Sequence, residues 1–304
     1  MINTYNHKNL VWIDAISPTK EEVRDLMQKY GIDPLIAEEL LIPSMKPKVD
    51  FRKNYIYLIL HFPAIYHSHT KNVNQEIDFI IGHDFLITTR YDAIDPIHKF
   101  SKIFEVNSIL DRDNMGDSAG FIFYYMIRKL YKSLTHELDF VADRLKIIED
   151  RIFLGNEKLM VLELSKVSRE ILQFKQSLNL HDEVWSSFEL AAIKFFGRDF
   201  DYHVKGILGS FSRVQSAIQS NTDTLNELRE TNNSLLSTKQ NEIMKTLAVI
   251  SFIILPISFL ATVFGMNTNY IPIVGSANDF WIVMGIMTIT ALFVAVFFKY
   301  KNWF

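Results

Sequence analysis

Seven residues at steps of three and four put polar chemistry into an otherwise apolar run: Asn241, Met244, Ala248, Ser251, Leu255, Ser258 and Thr262. On a helix this spacing gathers them into one stripe. The stripe mixes an amide and hydroxyls with large apolar side chains. A stripe against hydrocarbon would be uniformly aliphatic, as Ile250, Ile253, Ile254 and Ile257 are. The oxygens on offer, these and the Asn267 amide just beyond the run, are neutral. Neutral amides hydrogen-bond the water around a cation and leave that shell in place, which suits an ion that keeps its hydration shell. A bare divalent ion would need stronger ligands, given the several kcal/mol lost per desolvated charge. Carboxylate rings and proton relays, the usual intramembrane cation devices, are excluded, because no Asp or Glu lies in Thr246–Gly265 or Phe280–Phe298. Met244 and Leu255, with Leu247 one step from Ala248, are candidate apolar constrictions of the kind that gate by dewetting. A second reading gives Ser258 and Thr262 a local role, bonding the preceding turn or a neighbouring helix.

The elements that must carry this stripe are membrane spans. Thr246–Gly265 is 20 residues without a charge and Phe280–Phe298 is 19; at ~1.5 Å per residue each reaches across roughly 30 Å of hydrocarbon. One span cannot enclose a pore, so a pore along the stripe needs several copies. Lys245 precedes the first run, Lys299 and Lys301 follow the second, and Met266–Asp279 between them has no Lys or Arg. The positive-inside rule then expects both termini in the cytoplasm and the loop outside.

Gly265-Met266-Asn267 closes the first span, after Asn241-Glu242-Ile243-Met244-Lys245 at its entry and ahead of a basic tail. This arrangement resembles the CorA family of magnesium and cobalt channels, most strongly over Thr231–Phe304. A looser likeness covers Trp12-Ile13-Asp14, Ala37-Glu38-Glu39-Leu40, Lys46-Pro47-Lys48 and Phe85-Leu86-Ile87-Thr88-Thr89-Arg90. The resemblance implies a homopentamer in the cell membrane, with Gly265, Met266 and Asn267 as selectivity filter. It implies Mg²⁺ as cargo and regulator, and Co²⁺ and Ni²⁺ as further cargo. Lys299 and Lys301 would ring the cytosolic mouth; positive-inside anchoring beside Trp303 explains them equally. Closure by cytosolic Mg²⁺ would use acidic residues between domains, with Asp78, Asp84, Asp92 and Asp95 facing Asp223, Glu227 or Glu230 as candidates, though each also reads as a solvated surface acid. Two positions depart from the family pattern. Phe264 stands at the pore mouth where many members have Tyr, and Thr268–Gly275 lacks the acid that many members carry after the proline, leaving Asp279 as the one acid in the loop. A zinc transporter of the same family and a membrane-tethered coiled-coil scaffold are the alternatives.

Composition bounds the rest. Hydrophobic residues are 48% and mean hydropathy is +0.07, with the excess after Thr246. A net charge of −3 offers no field for nucleic acid. Zero cysteines exclude disulfides, thiolate metal sites and cysteine catalysis. No phosphate-binding glycine loop or hydrolytic triad order occurs, so no enzyme is expected. Met1–Asn9 is polar and shows no signal peptide. His61, His67 and His69 form the one histidine cluster, a candidate transition-metal site or an exposed polar loop.

The expected fold is an α+β membrane protein. A cytosolic α/β domain (1–115) has strands over Asn9–Asp14, Tyr55–Phe62, Glu76–Ile81 and Asp84–Tyr91, the last two joined by a tight turn at Gly82-His83. Its helices start at Thr19, where Thr19 and Glu22 have capping-box spacing, at Asp33-Pro34 and at Asp95-Pro96. Heptad stripes from Ile127 to Ile152 and from Leu164 to Phe195, broken at Gly155-Asn156, predict an antiparallel hairpin (116–199). A stalk (200–245) whose seam includes Asn221 and Asn232 continues into the first span (246–265). The external loop (266–279), second span (280–298) and basic tail (299–304) follow. No Pro or Gly lies between Ser210 and Leu255, so one helix is expected from Asp201 to Phe264, with Pro256 inside the span.

Overall fold

A computed structural model describes residues 1–44, 46–63, 75–91, 94–109, 117–266, 273, 275 and 278–301. The chain forms two compact units, Met1–Leu228 and Arg229–Phe304.

The first unit is built on a six-stranded sheet of order β1-β2-β6-β5-β4-β3. Its strands are β1 (Ile2–His7), β2 (Leu10–Ile16), β3 (Lys48–Phe51), β4 (Ile56–Phe62), β5 (Gln75–Ile81) and β6 (Phe85–Arg90). Only β2 and β6 pair in parallel. The central strands are buried along their whole length, which explains near-continuous apolar runs such as Ile56-Tyr57-Leu58-Ile59-Leu60. Alternate residues still sort to two faces. Ile13, Tyr57, Ile59, Ile80 and Ile87 pack with Val23 and Leu26 of α1 (Lys20–Tyr30) and Ile36 and Ala37 of α2 (Pro34–Glu39). On the other face, Trp12 stacks edge-on to Phe100 and Phe104 of α3 (Asp95–Ile109). There too Phe79 meets Phe123 of α4 (Ala119–Phe153), ring centroids 5.2 Å apart.

The helix ends follow local chemistry. Glu22 N–H donates to Thr19 Oγ1 (3.2 Å) and Thr19 N–H to Glu22 Oε2 (2.8 Å), a complete capping box. Gly31 closes α1 at φ 62°. Gly82 N–H bonds the Phe85 carbonyl at 2.8 Å, making the expected turn between β5 and β6. Beyond the sheet, α4 turns into α5 (Glu157–Leu178) through three residues. Asn156 N–H bonds Arg151 O and Gly155 N–H bonds Ile152 O, with Gly155 at φ 89°; this is a Schellman stop.

Three elements depart from the sequence reading. Strands β1 and β3 fall in stretches read as non-strand; both are sheet edges, half-exposed, so no apolar alternation marks them. The second hairpin arm is two helices, α5 and α6 (His181–Phe196). The interruption at Asn179–Leu180 keeps Asn179 at helical φ −57° and ψ −37°, so the apolar stripe runs through it unbroken. The helix α7, Asp201–Phe264, is one element of 64 residues, as its sequence implies.

Two buried polar networks tie the layers. Trp12 Nε1–H donates to Thr88 Oγ1 (3.1 Å), whose hydroxyl donates to Asp14 Oδ1 (2.9 Å). Arg90 closes the set with bonds of 3.1 and 2.8 Å to the two Asp14 oxygens. These four residues belong to the two N-terminal segments quoted above, and parallel β2–β6 pairing brings them together. Further along, Trp185 Nε1–H donates to Tyr131 Oη (2.7 Å), Tyr131 O–H to His181 Nδ1 (2.7 Å), and His181 Nε2–H to the His61 carbonyl (2.8 Å). This chain is complete with a neutral imidazole, and burial lowers the His181 pKa to about 4. On α7, Asn221 Nδ2 donates to the Leu138 carbonyl of α4 at 2.9 Å, the register role expected of a polar residue in a seam.

The Asp14–Arg90 pair has side-chain exposures of 3% and 5%, so removing one partner strands a buried charge. Asp14→Ala is expected to lower stability of the full chain by about 3–5 kcal/mol. Urea unfolding followed by tryptophan fluorescence checks it; a loss under ~1 kcal/mol contradicts a structural role for the pair.

Candidate functional site

Among the described residues two helices are long and apolar enough to cross a membrane: α7, with its apolar stretch toward the C-terminus, and α8 (Asp279–Tyr300). Within the second unit the membrane part of α7 has two distinct sides. Val249 is 1% exposed, and Ile253, Ile257, Leu260 and Phe264 are half-buried. The Phe252 ring lies 5.8 Å from that of buried Phe298 on α8. At 3.6 residues per turn, Asn241, Met244, Ser251, Leu255, Ser258 and Thr262 centre on the opposite side. All six are exposed, with Ala248 half-buried at the stripe's edge. Leu255 is 67% and Met244 59% exposed, and Leu247, 53% exposed, flanks them. The mixed stripe is therefore the side of α7 that α8 leaves uncovered.

The hydroxyls bond the preceding turn. Ser251 Oγ donates to the Leu247 carbonyl at 2.9 Å and Thr262 Oγ1 to the Ser258 carbonyl at 2.8 Å. Each proton is thus engaged in the helix while the oxygen's lone pairs stay on an exposed face. Such a stripe presents acceptors, the complement of the outward-pointing hydrogens of a cation's water shell.

At the helix end, Gly265 N–H bonds the Ala261 carbonyl (3.0 Å) and Met266 N–H the Val263 carbonyl (3.3 Å). A Cβ on Gly265 would come within 3.0 Å of the Ala261 carbonyl oxygen, so glycine allows the closing turn. Met266 is 53% exposed. Asn267 lies outside the described residues. Phe264, expected at the pore mouth, lies two residues past Thr262 and is turned to the half-buried side, away from the exposed stripe. Lys299 lies in the last turn of α8 and Lys301 follows the helix, both exposed.

The acidic candidates fall into different environments. Asp78 is a correction. It projects from β5 onto the sheet face covered by α2 and is 1% exposed, so it cannot face another domain's carboxylates across water. Burial and the neighbouring Glu76 charge hold its carboxyl well above the usual range. Asp84, Asp223, Glu227 and Glu230 are exposed, with Asp223 accepting from Gln219 Nε2 at 2.8 Å. Asp95 opens α3, and Asp92 lies outside the described residues. Among the described residues no three His, Asp or Glu side chains group to hold a metal. His61 does not sit in a loop. It lies buried on β4, its Nε2 2.9 Å from Glu76 Oε2 and 3.1 Å from the Ser44 carbonyl; His67 and His69 lie outside the described residues.

The sequence model of the CorA-like Mg²⁺ transporter proteins matches residues 7–300. The chain belongs to this family. CorA-like proteins are transporters and not enzymes, and the two apolar helices place this member in a membrane. It is similar to the cobalt/magnesium transport protein CorA of Thermotoga maritima, 23% identical over 96% of this chain and 83% of that protein. It is 21% identical to the protein of the same name from Methanocaldococcus jannaschii, over 99% of this chain and 93% of that one. The complete structure of the M. jannaschii CorA magnesium transporter superposes with a TM-score of 0.84 at 19% identity, covering 99% of this chain and 94% of the other. That likeness establishes the fold from the sheet through both apolar helices.

If Leu255 is the apolar constriction of the stripe, Leu255→Ala in reconstituted full-length chain raises passive divalent-ion leak severalfold, because a wider, less apolar ring wets more readily. Fluorescent-indicator flux in liposomes reads it, and unchanged leak removes Leu255 from that role.

Proposed function

We propose that copies of this chain, five as in the resemblance above, assemble about a shared axis with the mixed stripe of α7 facing inward. The assembly conducts hydrated Mg²⁺, and Co²⁺ and Ni²⁺ as further cargo, across the cell membrane. The observation that carries this is the exposed stripe of neutral oxygens on the side of α7 away from α8, in a member of a Mg²⁺ transporter family whose spans contain no carboxylate. Neutral acceptors hold the ion through its water and release it readily. A divalent ion entering an inside-negative cell gains ~4.6 kcal/mol per 100 mV, twice the single-charge value, so no energy-coupling module is required.

Gly265, Met266 and Asn267 form the filter at the outer mouth, where a ring of Asn267 amides orients the first water shell. Lys299 and Lys301 ring the inner mouth. The placement of lysines puts both termini in the cytoplasm. Feedback closure by cytosolic Mg²⁺ draws on the exposed acids Asp84, Asp223, Glu227 and Glu230, and Asp78 drops out of that set.

Asn267→Ala in proteoliposomes is expected to reduce Mg²⁺ influx at least tenfold while size-exclusion chromatography shows the same oligomer. Undiminished influx removes the filter assignment and favours a scaffold without transport. Parallel assays with Mg²⁺, Co²⁺, Ni²⁺ and Zn²⁺ identify the cargo; uptake of Zn²⁺ alone replaces the Mg²⁺ reading with a zinc transporter.

A further inference from the structure

A cavity of about 800 Å³ opens in the first unit between α3, α4 and the N-terminal part of α7. Its charge is unlike that of the chain around it. Lys99 comes from α3, Arg128, Lys129, Lys132 and His136 from α4, and Arg213 from α7, and among the described residues one acid, Asp139, lines it with them. The whole chain has net charge −3, so this is a local positive field in an acidic protein. Among the described residues none of the five Lys and Arg side chains forms an ion pair. Two are nonetheless held in place. Arg128 donates to Tyr124 Oη at 2.8 Å and lies over that ring, 5.3 Å from its centroid. Arg213 donates to Ser210 Oγ at 3.3 Å. Each guanidinium has five N–H donors, so one bond orients the fork and leaves the rest available.

Like charges gathered with one acid among the described residues repel one another. Folding tolerates the arrangement at a cost that a bound polyanion would remove. The volume lies in the range of small-molecule sites, ~300–1,000 Å³, and one inorganic phosphate would leave most of it empty. Exposed Tyr125 on the wall adds a flat aromatic surface of the sort on which a planar base stacks.

We propose that this cavity binds a phosphate-bearing small anion of nucleotide size, its phosphates held by Lys129, Lys132 and Arg213 and its base resting on Tyr125. No metal-carrying function of the spans is needed for it. Because the cations that hold it come from two helices, the bound anion bridges α4 and α7, and α7 is the helix that continues into the membrane.

The test is isothermal titration of the full-length chain in detergent, in EDTA, with ADP, pyrophosphate and adenosine as probes. Binding of ADP and of pyrophosphate, with none of adenosine, is expected. The triple variant Lys129→Gln/Lys132→Gln/Arg213→Gln should weaken ADP binding about tenfold or more, while Lys53→Gln, exposed and remote in sequence, leaves it unchanged. Raising salt from 0.05 to 0.5 M should weaken it too. A thermal melt and gel filtration confirm that the triple variant is folded, and Tyr125→Ala, which keeps every cation, should reduce ADP affinity more than pyrophosphate affinity. Absence of ADP and pyrophosphate binding at millimolar concentration overturns the proposal, as does equal affinity in the triple variant. Association only with vesicles containing phosphatidic acid overturns it in favour of a lipid headgroup. Loss of the oligomer in the triple variant, without anion binding by the unaltered chain, overturns it in favour of carboxylates from a neighbouring copy.

Discussion

The rest of the molecule is arranged around the cost of taking a divalent cation out of water. Stripping an ion in a hydrocarbon slab costs far more than neutral oxygens return, and every backbone group of a spanning segment must be satisfied within its helix. Only side chains on one helix face are then free to meet the ion. On α7 that face carries Asn241, Ser251, Ser258 and Thr262 between apolar neighbours, and it is the face left exposed when α8 covers the other side. The proposed pathway follows: water travels with the ion, hydroxyl and amide acceptors meet that water, and Met244 and Leu255 decide whether the column is wet.

A helix of 64 residues needs anchoring, since isolated helices are held mostly by tertiary contacts. In the first unit its N-terminal part is secured by Val204, Ile207, Phe211 and Val214, all buried, and by the Asn221 bond to α4. The sheet behind it is locked by the Trp12–Thr88–Asp14–Arg90 network. The Trp185–Tyr131–His181 chain then joins α6 and α4 to β4 through the His61 carbonyl. Both networks are fully bonded, as buried polar groups must be to add rigidity and not instability.

Much of this was legible in the residues. Charge-free runs of membrane length, a heptad seam without Pro or Gly, and the Thr19/Glu22 and Gly155 end signals each have one physical reading, and the helices follow them. Edge strands β1 and β3 left no mark, because a strand bonded on one side only needs no apolar alternation. The break between α5 and α6 left none because Asn179 stays helical. The placement of Asp78 was hidden for a different reason. A carboxylate in an apolar strand looks the same whether it faces water or a covering helix, and only packing against α2 decides. Phe264 is next to Gly265 at the mouth that the resemblance implies, yet two residues of helix past Thr262 turn it to the half-buried side. The basic cavity was invisible because Lys99 and Arg213 are far in sequence from the α4 cations they join.

In the proposed pore, copies of α7 meet through the mixed stripe. The chain has no cysteine, so single cysteines report without background. Ser251→Cys and Ile250→Cys lie at the same depth and about 100° apart around the helix. With a short thiol-to-thiol cross-linker in proteoliposomes, covalent multimers are expected from Ser251→Cys and mostly monomer from Ile250→Cys. Equal cross-linking at both positions, or multimers from Ile250→Cys alone, would contradict it.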